Sequence, residues 1–324
     1  MNLSLMANQA IPVIQNPRVS HLSAPKQRAA AILLGFAISF PCKADNALVW
    51  IGYNQTSSDF WGDGRSDFKP DGESIGVSYL FDDTIDVAYS FGKIKGQESW
   101  PIAGVNNPNV TDRGESESES HSLSLTWLLE DFSLGFTVSD IQSEERTLIR
   151  FPIVAEITVT DDQLVSLNYD DFYSDDKTTF GWSVGLQFAD SKNDNLQVFF
   201  TDPATSIATR FNQKSYSLFS DFDISYDIES ESITFTPQLS VGWNFELSSD
   251  GEPLILLTRG DRRTLLNRFN DRITNSFLIP DSGYWNLSTN LDLHNGWNIA
   301  LAYGKTISAP IDTTSISFDI SLAF

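Results

Sequence analysis

The feature that most constrains this chain is a hydrophobic repeat of two. In ESITFTPQLSVGWNFEL, residues 231–247, Ile233, Phe235, Pro237, Leu239, Val241, Trp243, Phe245 and Leu247 share one parity, while Thr234, Thr236, Gln238, Ser240, Gly242, Asn244 and Glu246 take the other. Side chains on a strand point alternately to opposite faces, whereas a helix repeats about every 3.6 residues, so this run fits a two-faced strand. Tyr216, Leu218, Phe222, Ile224, Tyr226 and Ile228 repeat the pattern, as do Ile75, Val77, Tyr79 and Phe81, and then Phe180, Trp182, Val184, Leu186 and Phe188. No apolar run after residue 44 approaches the roughly 20 residues of a membrane helix.

Strands are expected near 46–56, 73–82, 84–94, 118–129, 131–141, 146–159, 164–173, 178–190, 194–202, 213–228, 231–247, 283–294, 296–307 and 313–324, about fourteen, with twelve as the alternative. The weakest is 146–159, because Pro152 interrupts it and proline is poorly tolerated inside a sheet. Keeping it sorts the connections by length. Asp82-Asp83, Glu130, 160–163, 191–193, 229–230 and Asn295 form a short set, and 57–72, 95–117, 203–212 and 248–282 fall at the other end. A soluble sandwich has no need of such sorting and uses shorter strands, whereas membrane barrels show it. Tyr53, Tyr79, Trp127, Phe132, Trp285, Trp297 and Tyr303 stand near strand ends, as an interfacial girdle would. Lipid satisfies no open edge, so the expected fold is all-β, a closed transmembrane antiparallel up-and-down β-barrel.

The N-terminus speaks of a compartment. Lys26 and Arg28 precede AAAILLGFAISF, residues 29–40, which is too short to span a bilayer as a helix and has the size of a secretory h-region. Cys42 and Ala44 are the small residues ahead of a cut after Ala44, so residues 1–44 are expected to be a signal peptide and 45–324 the barrel. The stretch before Lys26 is long for an n-region, leaving a start at Met6 as an alternative. Lipidation at Cys42 is disfavoured by Phe40 and Pro41. Cleavage would remove the one cysteine, so neither a disulfide nor a thiolate metal site is expected.

At the other end, SISFDISLAF (315–324) sets Ile316, Phe318, Ile320, Leu322 and Phe324 against Ser315, Ser317, Asp319 and Ser321. This strand resembles the C-terminal signature of bacterial outer-membrane β-barrel proteins, in which Phe318, Ile320, Leu322 and Phe324 would be the signal read by the barrel-assembly machinery. The resemblance is specific over about ten residues and stylistic over the remainder. It implies a porin-like barrel in a Gram-negative outer membrane, surrounded by outer-membrane lipid and lipopolysaccharide, with periplasmic termini.

A barrel wider than eight strands is expected to hold water. Parity assigns Asp86, Asp140, Asp170, Asp221, Asp223, Asp227, Glu246, Asp292 and Asp319 to the lumen, with Arg150 among few inward cations. A water-filled pore for small solutes that prefers cations follows, the alternative being that several of these acids are solvated rim residues. The formal net charge of -22 argues against a nucleic-acid partner. The loop sequence TRGDRRTLLNRFNDR (258–272) gathers Arg259, Arg262, Arg263, Arg268 and Arg272, which could constrict the pore, bind lipopolysaccharide or pair with loop acids. TDRGESESES (111–120) reads as an acidic loop: an interaction surface, a divalent-cation patch or solvated charge, without metal-site spacing. No metal or cofactor is expected. A barrel hydrolase needs a histidine, and only His121 and His294 follow the leader, neither within a family motif, so no enzyme is expected. An autotransporter-type translocator shares the terminal Phe and would need a passenger ahead of the first strand. A surface-binding or structural barrel also remains open. No oligomer signature is present.

Overall fold

The computed structural model describes residues 47–59, 70–101, 111–129, 132–150, 153–175, 177–199, 205–259, 262–265, 282–307 and 312–323. The expected leader and Phe324 lie outside them. The strands are β1 (Ala47–Asp59), β2 (Asp71–Phe81), β3 (Ile85–Pro101), β4 (Thr111–Leu128), β5 (Phe132–Arg150), β6 (Ile153–Asp175), β7 (Thr178–Phe199), β8 (Thr205–Tyr226), β9 (Ile228–Glu229), β10 (Thr234–Arg259), β11 (Arg262–Leu265), β12 (Ser282–Asp292), β13 (Trp297–Ile307) and β14 (Asp312–Ala323). Each barrel strand pairs antiparallel with its sequence neighbours, and β14 returns to pair with β1, Leu48 opposite Ala323 and Asp59 opposite Asp312. Twelve strands close the barrel, and the short β9 and β11 bring the total to fourteen.

β9 continues β8. Ser225 faces Gln238 and Ile228 faces Phe235 in one unbroken register, and the gap between them lies opposite Pro237, which has no N–H to give the ladder. On its other side the strand stays paired with β7, the Asp227 N–H donating to the Lys177 carbonyl at 2.7 Å in the same register.

The barrel is lopsided. β2, β12 and β13 have 11 residues each, which at about 3.3 Å per residue and a tilt near 40° spans one hydrocarbon layer. β6, β7, β8 and β10 have 23, 22, 22 and 26, and rise well beyond it. Pairing of β10 with β12 stops at Asn244–Ser282, while its pairing with β8 runs on to Arg259–Thr205. Strands β3 to β8 and β10 thus form a tall wall on one side of a short rim. The strand ends that flank 82–84, 129–131, 176–177, 230–233 and 293–296 share one end of the barrel, and the ends of β1 and β2, β3 and β4, and β10 and β12 that face away from these share the other. At the first turn, Asp82 and Asp83 have φ of 48° and 57° and the Thr84 N–H donates to Phe81 at 3.0 Å, the left-handed pair of a tight hairpin.

The expected sorting of connections holds in part, with corrections inside the tall wall. Residues 146–159 are not one strand: 146–150 end β5 and 153–159 begin β6. The expected turns 160–163 and 191–193 are strand interior, where Asp161 pairs with Lys192 and Asp162 with Ser191. Above the lipid both faces of a strand are polar, so the apolar alternation stops there although the ladder continues. The two extra strands vanish as a pair, which leaves the connections between β1 and β2, β3 and β4, and β10 and β12 at the end assigned to them, whereas the expected connection 203–212 is strand β8 from Thr205 onward and 248–259 belongs to β10.

Along each strand one parity is apolar and faces outward. On β4 these are Leu123, Leu125 and Trp127, each at least 45% exposed, and Ser122, Ser124 and Thr126 face the lumen. Outward aromatics meet in bands, among them Phe132–Tyr169–Trp182 with centroids 5.2 and 5.3 Å apart, and Trp285–Tyr303 at 5.5 Å. Beyond Glu246 the register slips by one residue at Leu247, a bulge where β10 leaves the lipid.

Placing Arg at the lipid-facing Leu125 should cost about 2–4 kcal/mol of folding free energy. Ser124→Arg, on the adjacent lumenal position, should cost far less; equal losses in denaturant titrations of the two refolded variants would reverse the assignment of faces.

Candidate functional site

The lumen wall is built almost wholly from small polar residues. Ser, Thr, Asn, Gln and Gly predominate on the inward parity of β4, β5, β7 and β12, with Ile141 and Tyr284 there and Trp50 and Phe219 on β1 and β8 as larger inward side chains, and cross-strand hydroxyl pairs such as Ser122–Ser139 at 2.8 Å and Ser124–Thr137 at 3.0 Å tie the wall together. Carboxylates are set into it near the short-turn ends of their strands. Asp170 accepts from Ser133 at 3.0 Å and from Asn168 at 2.5 Å. Asp223 accepts from the Gln238 amide at 3.1 Å, which in turn accepts from Ser288 at 3.3 Å. Asp227 accepts from Thr236 at 2.6 Å. Asp221 receives the Ser183 hydroxyl at 3.3 Å and the Tyr284 hydroxyl, which reaches over β10 at Gly242.

Of the acids expected in the lumen, Asp86, Asp170, Asp221, Asp223, Asp227 and Asp319 share the inward face in this half of the barrel. Glu246 is inward but at the opposite end, across from Ser217. Asp292 is exposed at the rim, where it caps the β12–β13 turn by accepting from the His294 N–H at 2.8 Å. Asp140 is a correction: it lies opposite His121, on the outward parity of Phe136 and Val138. Its parity is that of Phe132, Leu134, Phe136 and Val138 in the same strand, so the alternation of β5 itself turns it outward. Arg150 closes the tip of β5 against Ile153, far above the lumen acids.

The loop arginines do not meet those acids in the described residues. Arg259 ends β10 opposite Thr205, Arg262 pairs with Arg259 and Arg263 with Thr258 at the top of the tall wall. Arg268 and Arg272 lie outside the described residues. Of the assembly signal, Phe318, Ile320 and Leu322 stand outward on β14, opposite Tyr53, Ile51 and Val49. The stretch expected as the acidic loop 111–120 is strand β4, its Glu117 and Glu119 outward and bonded to Lys93 at 2.5 and 2.6 Å.

His121 also faces outward, its Nδ1 2.7 Å from the Tyr89 hydroxyl and its ring 5.1 Å from Phe91. His294 sits in the turn, Nε2 2.8 Å from the Thr234 hydroxyl. Among the described residues no three His, Cys, Asp or Glu side chains are grouped to hold a metal.

Above the lipid the inward face continues as a ladder between β6 and β7. Gln197 donates to Glu156 at 3.2 Å, Asn195 to Thr158 at 2.8 Å, Asn193 to Thr160 at 3.1 Å, and Ser191 to Asp162. The outer face of the same wall is charged, with Arg210 forked onto Asp194 at 2.6 and 3.1 Å, an exposed pair that contributes little to stability. What sequence reasoning missed in the lumen was Tyr284 and the glycines beside the acids. Their signal was glycine recurring on the polar parity, at 52, 181 and 242. Which acid each glycine faces is decided only by pairing.

A closed, even-stranded antiparallel barrel with an apolar outer belt, a polar lumen and connections sorted by length is an outer-membrane β-barrel, and the protein belongs in the Gram-negative outer membrane. No protein-family model matches the chain, and no curated protein matches it. Among solved structures it is similar to the translocator domain of the autotransporter NalP from Neisseria meningitidis, with TM-score 0.63 and 11% identity over 93% of this chain and 98% of that one. It is also similar to the β domain of the Bordetella autotransporter BrkA, with TM-score 0.55 and 8% identity over 86% and 100%. At such identities the likeness is one of fold.

Burial raises the Asp162 carboxyl above the usual carboxylate range; the Ser191 hydrogen bond opposes this and neighbouring Asp161 adds to it. The folded wall therefore takes up this proton before the unfolded chain does, and gains stability as pH falls from the raised value toward the ordinary one, about 3.9. Asp162→Asn should unfold at a higher temperature than the wild type at neutral pH, with the gap closing by about pH 4. A gap that persists at low pH would remove burial as the cause.

Proposed function

We propose that the barrel is a water-filled outer-membrane pore for small solutes with a preference for cations. The observation that carries this reading is the sign of the lumen. Within the lipid-embedded part, the inward face of the described residues holds Asp86, Asp170, Asp221, Asp223 and Asp319 and neither Lys nor Arg, while Asp227 stands at the rim opposite Lys177. Carboxylates lining a confined aqueous path raise the local concentration of cations and repel anions. Asp221, Asp223 and Asp170 already accept hydrogen bonds from neighbours, which leaves each a weak ligand, suited to passing a cation rather than holding it. Twelve strands enclose more than side chains of this size can fill. The partners of this reading are outer-membrane lipid and lipopolysaccharide around the belt and the barrel-assembly machinery at β14.

A second reading, a translocator-type barrel, is supported by the likeness to two autotransporter domains. Single-channel recording of the refolded protein in a planar bilayer under a salt gradient separates the two. The pore reading expects steady conductance with a cation-selective reversal potential, and a severalfold lower cation-to-anion ratio in Asp221→Asn/Asp223→Asn. A folded barrel that passes no steady current would defeat it.

A further inference from the structure

Three of the lumenal acids lie directly opposite glycines. Asp221 pairs with Gly242, Asp223 with Gly181 and Asp319 with Gly52. A methyl group added to any of these glycines would come closer than 3.0 Å to a carboxylate oxygen of that same partner. Each acid is therefore laid sideways across the neighbouring strand, in the space a cross-strand side chain would fill, instead of pointing along the radius of the barrel. Asp221 and Asp223, two residues apart on β8, lean in opposite directions, one toward β10 and the other toward β7. Gly242 also gives passage to the Tyr284 ring on its way to Asp221. Not every lumenal glycine is used in this way: at Gly304 the nearest atom to an added methyl is the Ser315 hydroxyl, at 3.0 Å.

We propose that Gly52, Gly181 and Gly242 are specificity- and bore-determining positions of the pore, because they stow the carboxylates of Asp319, Asp223 and Asp221 flat against the wall. Stowed, an acid contributes its field to the whole cross-section without narrowing it, and the oxygens of Asp221 and Asp223 stay bonded to Tyr284, Ser183 and Gln238. Released, it would both obstruct the lumen and offer free oxygens to a passing cation, which would then be retained. The wall thus combines charge with width, two properties that radial carboxylates would set against each other.

This rests on the pore reading, so the test has two readouts. In planar bilayers Gly181→Ala should lower single-channel conductance severalfold while the barrel stays folded by heat-modifiable gel mobility. Asp223→Gly in the same chain should restore it, and Gly304→Ala should leave it unchanged. Wild-type conductance in folded Gly181→Ala, or no recovery in the double variant, would overturn the proposal. Independently of any current, Asp223→Cys in a Cys42→Ser background should react with a water-soluble methanethiosulfonate several times faster once Gly181 is alanine. An unchanged rate would show that the side chain is not stowed there. A wild-type barrel that carries no current defeats the pore reading, and the thiol rates then still decide the stowage.

Discussion

Hydrocarbon offers no partner to a peptide N–H or C=O, and the architecture follows from that one deprivation. Each lipid-embedded strand needs two neighbours, so β14 comes back to β1 and the sheet has no edge at membrane depth. Opposite Pro237 the pairing of β8 with β10 pauses for lack of an N–H, while on its other side β8 stays bonded to β7 as far as Asp227 and Lys177 at the rim. Where the lipid ends the demand lapses. There β10 runs on without β12 beside it, and β3 runs on beyond the start of β2, because water can satisfy what lipid could not.

Closure divides the side chains by parity and hands each set a different task. The outward set must be apolar in the belt, and above it becomes charged, as in Lys93 with Glu117 and Arg210 with Asp194. The inward set never has to be apolar, and it is composed mainly of hydroxyls, amides, glycines and acids, with the rings of Trp50, Phe219 and Tyr284 among them. The electrostatics of the lumen is thereby independent of what holds the barrel in the membrane. An inward acid can be added or lost without changing the area presented to lipid, so the wall can be tuned for what passes while the fold stays fixed.

The embedded half of the fold was legible from residues alone, since a period of two against lipid is strict: 283–294, 296–307 and 313–324 emerge nearly as expected, and 231–247 is the embedded part of a strand that runs on to Arg259. The tall wall was misread at 142–145, 160–163 and 191–193 for a physical reason. Sequence patterning registers the boundary between lipid and water, and that boundary crosses the middle of β5, β6 and β7 rather than their ends. Asp140 was misplaced against the parity of its own strand, which Phe136 and Val138 set outward, whereas Asp221, Asp223 and Asp170 were correctly faced because apolar neighbours two residues apart fix the opposite parity beside them. The lumenal network was not legible: that Asp221 would meet Tyr284 over Gly242 depends on the registers of three strands, which alternation leaves undetermined.

The unequal strand heights carry a consequence for motion. A single strand such as β7 spans two environments, and its ladder is continuous through both. Below, opening a peptide pair would strand its groups in hydrocarbon. Above, the same opening is answered at once by solvent. One covalent strand is thus divided into two thermal regimes, and the upper portion can breathe, fray and reclose on its own clock without transmitting the disturbance to the sealed ring beneath.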